Sequence, residues 1–123
     1  MIRGRVTIHL EATIQVEVVG PEQRLEAIEA VIDTGFNGFL TLPSHLVHAL
    51  QLLFVGHRRV QLGDGSSVVL DLYLASLVWN GEVREVVVLQ AEGGPLVGMS
   101  LLQGHRVILH VIDNGEVIVD AVP

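Results

Sequence analysis

Residues 29–43 read Glu-Ala-Val-Ile-Asp-Thr-Gly-Phe-Asn-Gly-Phe-Leu-Thr-Leu-Pro, so an apolar run ends on a carboxylate and a second apolar run starts almost at once. Asp33 follows Val31 and Ile32 at the end of what reads as a buried strand, where burial disfavours the charged form of an acid. An isolated Asp-Thr-Gly is most simply a strand ended by a turn. Here the apolar runs on both sides make Asp33 a candidate general acid or base. The other chemistry-bearing residues form no comparable group. The chain has no cysteine, which removes disulfides, thiolate ligands and cysteine nucleophiles together. His45 and His48 stand three apart in a helical pattern, but without a third ligand they read as solvated helix residues, and no metal or other cofactor is expected. His9, His57, His105 and His110 are scattered among strands and turns and read as structural. Serine-hydrolase, phosphate-loop and zinc readings all lack a constellation of suitable residues.

The chain of 123 residues is expected to be a single domain, residues 1–123, long enough to bury a core but short for a two-lobed enzyme. Hydrophobic residues make up 50% and aromatics 4%, giving an aliphatic, β-branched composition that suits strands. Fourteen acidic against seven basic residues leave a net charge of -7, and every basic residue is an arginine. Only Arg58 and Arg59 are adjacent, so the clustered positive surface that phosphate backbones require is missing and nucleic acid is not an expected partner. No apolar run approaches the ~20 residues needed to cross a bilayer, and Met1-Ile2-Arg3-Gly4-Arg5 lacks the apolar segment of a signal peptide. The expectation is a cytoplasmic protein without a membrane partner.

The elements that position Asp33 follow from periodicity. Between residues 6 and 18 every even position is apolar, which predicts one long strand, or two joined by a bend near Glu11 and Ala12. Gly20-Pro21-Glu22-Gln23 predicts a turn, and residues 25–32 a strand delivering Asp33. Residues 39–42 predict a further strand, and Pro43-Ser44 with Leu46, Val47 and Leu50 a short helix. Residues 60–62 and 68–70 flank Gly63, Asp64, Gly65 and Ser66, whose glycines permit the positive φ angles of a tight hairpin. As a phosphate loop, Gly-x-Gly carries no weight here, because no helix pattern follows. Asn80-Gly81 and Asn114-Gly115 predict two more hairpins, joining residues 77–79 to 86–89 and 107–112 to 117–119. Between them, Leu96-Val97-Gly98 leads into a short helical stretch that ends near Gly104.

The Asp33 segment resembles the active-site signature of the retropepsin-like aspartic proteases: two hydrophobic residues, Asp-Thr-Gly, a short loop, and a hydrophobic strand. Element order agrees along nearly the whole chain, although the specificity of the likeness rests on the Asp-Thr-Gly motif and, more weakly, on Leu96-Val97-Gly98. The resemblance implies an all-β fold, a closed β-barrel with a flap hairpin and one or two short helices. It makes Asp33 the catalytic residue, Thr34, Gly35, Phe36 and Asn37 the active-site loop, Gly63 to Ser66 the flap tip, and Leu96-Val97-Gly98 the segment threaded beneath the loop.

Hydrolysis of a peptide in this family needs two carboxylates facing one water, one acting as base while the other protonates the carbonyl. The chain has one Asp-Thr-Gly, so the resemblance implies a homodimer whose two Asp33 side chains meet at a two-fold axis. Two acids that close cannot both ionise and titrate as a pair, a behaviour for which aspartic proteases are the standard example. In the family the Thr34 hydroxyl bonds across the dyad, and Gly35 allows close approach. Phe36-Asn37-Gly38 departs from the family's small residue after the glycine: Phe36 could narrow the site, and Asn37 could donate to the outer carboxylate oxygen. Strand-forming ends at residues 6–10 and 117–119 could join a shared sheet. Two other functions fit the sequence, a dimeric binding module of the same fold without chemistry and a small β-barrel holding an apolar ligand.

Overall fold

A computed structural model describes all of residues 1–123. Ten strands and two short helices follow one another in the order β1 (Ile2–Val6), β2 (Ala12–Val19), β3 (Leu25–Ile32), β4 (Leu40–Leu42), α1 (Ser44–Ala49), β5 (Leu53–Gln61), β6 (Ser67–Trp79), β7 (Glu82–Gln90), β8 (Leu96–Val97), α2 (Met99–Leu102), β9 (His105–Leu109) and β10 (Glu116–Ala121). The all-β expectation holds. The strands form one sheet in the order β5-β6-β7-β4-β8-β3-β2-β1-β10-β9, and an added pairing of β6 with β2 closes β2, β6, β7, β4, β8 and β3 into a ring.

Alternation explains which side of the ring is dry. In β2, Ile14, Val16 and Val18 are buried while Gln15 and Glu17 face solvent, as period two requires. Each ring strand contributes to one core cluster of 21 residues: Val16 and Val18, Ala30, Leu40, Leu77, Val88 and Val97 are all at most 1% exposed. The Val and Leu side chains among these bury apolar area worth roughly 1.5–3 kcal/mol each.

Several boundaries differ from the sequence reading. The even-position pattern continues through residues 7–11, yet these form a turn rather than strand, with the Leu10 N–H donating to the Thr7 carbonyl at 2.9 Å and Leu10 at φ 61°. Ile8 and Leu10 are therefore exposed, at 74% and 61%. The pattern survives because Val6 pairs directly with Ala12 and cross-strand partners share a face, so even numbers point inward on both sides of the turn. Residues 68–70 and 77–79 are parts of one strand, β6, because nothing between them breaks the chain, and β5 likewise begins at Leu53. Asn114-Gly115 closes no two-residue hairpin. Asn114 donates to the Val6 carbonyl and Val6 donates to the Gly115 carbonyl, which draws the pair onto β1 and leaves a six-residue connection, 110–115. Asn80-Gly81 does form the expected tight hairpin, with φ of 53° and 84°. Finally, residues 117–119 cannot extend a shared sheet, since β10 already pairs with β1 on one side and β9 on the other.

Helix α1 begins at Ser44 without a capping side chain at Pro43. Glu92, from the loop after β7, supplies the acceptor instead: its Oε1 receives the Ser44 N–H at 3.1 Å. Hydrogen bonding from Ser44, side chain first and then backbone, holds the Glu92 carboxyl below its ordinary value of 4.5, with a smaller contribution from His45. A lowered folded-state pKa stabilises above the unfolded value, and the gain disappears as pH falls through the folded one. Glu92→Ala is accordingly expected to lower the melting temperature near neutral pH, and melts repeated at falling pH should show the gap to the unmodified protein closing below 4.5.

Candidate active site

The loop bearing Asp33 is fixed by a strand that passes between its two ends. β8 runs parallel to β3, with Val31 opposite Leu96 and Ile32 opposite Val97, and antiparallel to β4, with Leu40 opposite Val97. The Asp33 N–H donates to the Val97 carbonyl at 2.9 Å, and the Gly98 N–H donates to the Phe39 carbonyl at 3.0 Å. Leu96 N–H donates to the Thr41 hydroxyl at 2.9 Å, which satisfies a threonine that is only 6% exposed. Leu96, Val97 and Gly98 thus lie between β3 and β4 and bond to both ends of the loop.

Asp33 itself is half-buried, as are Val31 and Ile32, so the fully buried strand end read from the sequence is replaced by one accessible from the loop side. The Asp33 carboxylate accepts one hydrogen bond, from the Gly35 N–H to Oδ1 at 2.9 Å, and the Phe36 N–H donates to the Asp33 carbonyl at 3.1 Å. Together these make a tight turn that aims the carboxylate along the loop. Thr34 is exposed and its hydroxyl bonds to nothing within the chain.

Phe36 does not simply narrow the site. Its ring is folded back against two glycines: a Cβ on Gly38 would lie 2.5 Å from Phe36 Cζ, and one on Gly98 would lie 2.5 Å from Cδ2 and 2.2 Å from the Gly38 carbonyl oxygen. The phenyl ring after Asp-Thr-Gly is therefore accommodated by glycines on both the loop and the segment beneath it. Asn37 makes no hydrogen bond to Asp33. Its carbonyl instead accepts from the Ser100 hydroxyl of α2, while the Ser100 N–H donates to the Gly38 carbonyl at 3.2 Å and the Met99 N–H to the Phe36 carbonyl at 2.8 Å. Helix α2 thus latches the outer half of the loop. Sequence reasoning misses Ser100, because a lone serine beyond the Val-Gly pair carries no signal.

The β5–β6 hairpin is present, and its tip closes as Leu62 N–H donates to the Ser66 carbonyl at 2.7 Å and Gly65 N–H to the Leu62 carbonyl at 3.0 Å. Only Gly65 takes a positive φ, 88°, so the conformational need assigned to both glycines rests on one. Asp64 Oδ1 accepts from the Ser66 hydroxyl at 2.6 Å and from the Ser66 N–H at 2.9 Å, and these bonds hold its carboxyl below the usual range.

Between the Asp33 loop and β5 lies a hollow of about 130 Å³, lined by Asn37, Gly38 and Phe39 of the loop, Arg58 of β5, Leu89 of β7 and Ser100 of α2. Two larger hollows, each about 330 Å³, include no residue of the loop. One is lined by residues such as Pro21, Leu53 and Leu74, the other by residues such as Arg3, Thr13 and Glu29. No three His, Cys, Asp or Glu side chains converge to hold a metal ion. No helix is long and apolar enough to cross a membrane. No protein-family model matches the chain, and no curated protein matches it either.

Proposed function

We propose that the protein is a retropepsin-like aspartic endopeptidase that acts as a homodimer, each protomer supplying one Asp33 to a shared dyad. The observation that carries this reading is the Asp33 turn: a half-buried carboxylate, held by the Gly35 N–H, on a loop anchored through Val97 and Gly98 by a strand passing beneath it. In the dimer one Asp33, ionised, takes a proton from water, the water oxygen attacks the peptide carbonyl carbon, and the other Asp33, protonated, gives its proton to the carbonyl oxygen. Collapse of that tetrahedral intermediate breaks the C–N bond, with a proton passing to the departing nitrogen. Thr34, exposed and unpartnered within its own chain, bonds to the partner's loop backbone, and the hairpin tipped by Gly65 closes over the peptide to exclude water.

The binding-module reading draws on the same turn, since a carboxylate that accepts from Gly35 N–H also serves a purely structural end. The apolar-ligand reading has less support, because the ring's interior is filled by the core cluster. The peptidase reading is tested by digesting a peptide library across pH while following mass by sedimentation. Cleavage that rises and falls on the acidic side of neutral, in a protein sedimenting as a dimer at micromolar concentration, is the expected result. A stable monomer would overturn the shared dyad.

A further inference from the structure

We infer that Arg58 makes the hollow beside the Asp33 loop a subsite for an acidic side chain of the peptide, an inference that rests on the peptide-binding reading above. The seven arginines differ in one respect. Arg3 pairs with Glu116, Arg5 bonds to the Asn114 side chain, Arg24 to the Ala49 carbonyl, Arg59 to the Ser67 hydroxyl and Arg106 to Asp120. Arg84 lies 5.9 Å from the centroid of the Phe39 ring. Arg58 alone has no hydrogen bond, ion pair or aromatic face, and it is the arginine that lines this hollow.

The surroundings suit a carboxylate. Asn37 lines the same hollow with its side-chain amide unengaged, the remaining walls are Gly38, Phe39, Val87, Leu89 and Ser100, and none of these residues is acidic. A guanidinium offers a planar fork of donors that matches a carboxylate's two oxygens, and the neighbouring amide adds a third donor. Because Asn37 and Gly38 belong to the loop that carries Asp33, a side chain seated here comes from a residue close to the bond being cleaved. The protein's net charge of -7 opposes any general attraction of acidic peptides. At physiological salt charges are screened beyond roughly 8 Å, so the preference is confined to this one position of the peptide.

The test uses the full chain and its Arg58→Glu variant, an exposed change on β5 whose folding is checked by thermal melt. Both digest a library of natural-sequence peptides, and each is also titrated by fluorescence polarisation with two labelled decapeptides, one alternating Val and Glu, the other Val and Gln. The unmodified protein should enrich Asp or Glu at one position near the cleaved bond and bind the Glu peptide about tenfold more tightly than the Gln peptide. Arg58→Glu should lose both preferences and favour Lys or Arg at that position. Cleavage with no acidic preference, or with one that Arg58→Glu leaves unchanged, would overturn the inference and leave the peptidase reading standing. Arg58-dependent binding of the Glu peptide without cleavage would uphold the subsite and remove the peptidase reading. If the unmodified protein neither cleaves the library nor binds either decapeptide, both fall.

Discussion

Asp33→Asn is expected to abolish peptide cleavage while the protein stays folded. The substitution keeps the side chain's size and the oxygen that accepts the Gly35 N–H at 2.9 Å, so the turn at the end of β3 is preserved. In the proposed homodimer it deletes the ionisable group on both protomers at once, leaving neither a base for water nor an acid for the carbonyl. Proton transfer of this kind contributes about 10²–10⁴-fold to rate, and since both partners of the dyad are lost, kcat/KM should fall by at least about a thousandfold. Stability should change by less than about 1 kcal/mol, because Asp33 is only half-buried, and two amides facing each other carry none of the repulsion of two acids. A peptide-library digest read by mass spectrometry, run with a thermal melt, checks both halves. Equal cleavage by the two proteins would place the chemistry elsewhere. Absent cleavage in both, with a clearly less stable variant, would favour the binding module.

Gly98→Ala is expected to damage both the fold and the candidate site. The added Cβ would lie 2.2 Å from the Gly38 carbonyl oxygen, 2.5 Å from Phe36 Cδ2 and 2.7 Å from the Phe36 carbonyl oxygen. Two of these three atoms are backbone, and the backbone concerned is the Asp33 loop, so the clash cannot be relieved by a rotamer change. Overpacking of this kind costs roughly 1–3 kcal/mol and more where backbone must move; about 3 kcal/mol corresponds to a fall in melting temperature of roughly 10 °C for a domain of this size. Activity should fall further than stability, since the loop yields by displacing Asp33. Adding Phe36→Ala to Gly98→Ala should restore part of the stability, because the ring contact goes while the Gly38 contact remains. A melt unchanged by Gly98→Ala would show that the loop and the segment beneath it are not packed as described.

Much of this arrangement was legible in the residues. The strand delivering Asp33, the helix after Pro43 and the Asn80-Gly81 hairpin all follow from local patterns, because each is decided by alternation or by a turn residue within a few positions. What escaped depends on contacts distant in sequence. The turn at residues 7–11 kept the apolar rhythm of its flanking strands because Val6 and Ala12 share a face. The Asn114-Gly115 hairpin failed because Val6, far away in the chain, claims its backbone groups. Phe36 looked like an obstruction until Gly38 and Gly98 were seen to make room for its ring, and Arg58 looked like half of an unremarkable Arg-Arg pair. Seven arginines read alike in a sequence; only their partners separate them.

The central claim is that two Asp33 carboxylates, one from each protomer, act together, and subunit mixing measures this directly. Unmodified chain and Asp33→Asn chain are co-refolded in equal amounts, and peptide hydrolysis is compared with that of the same total amount of unmodified protein refolded alone. Random pairing leaves about a quarter of the dimers with two carboxylates, so a shared dyad predicts about a quarter of the activity, falling with the square of the unmodified fraction as the ratio is varied. A linear fall, with about half the activity at equal amounts, would show that each chain works alone and would contradict the account.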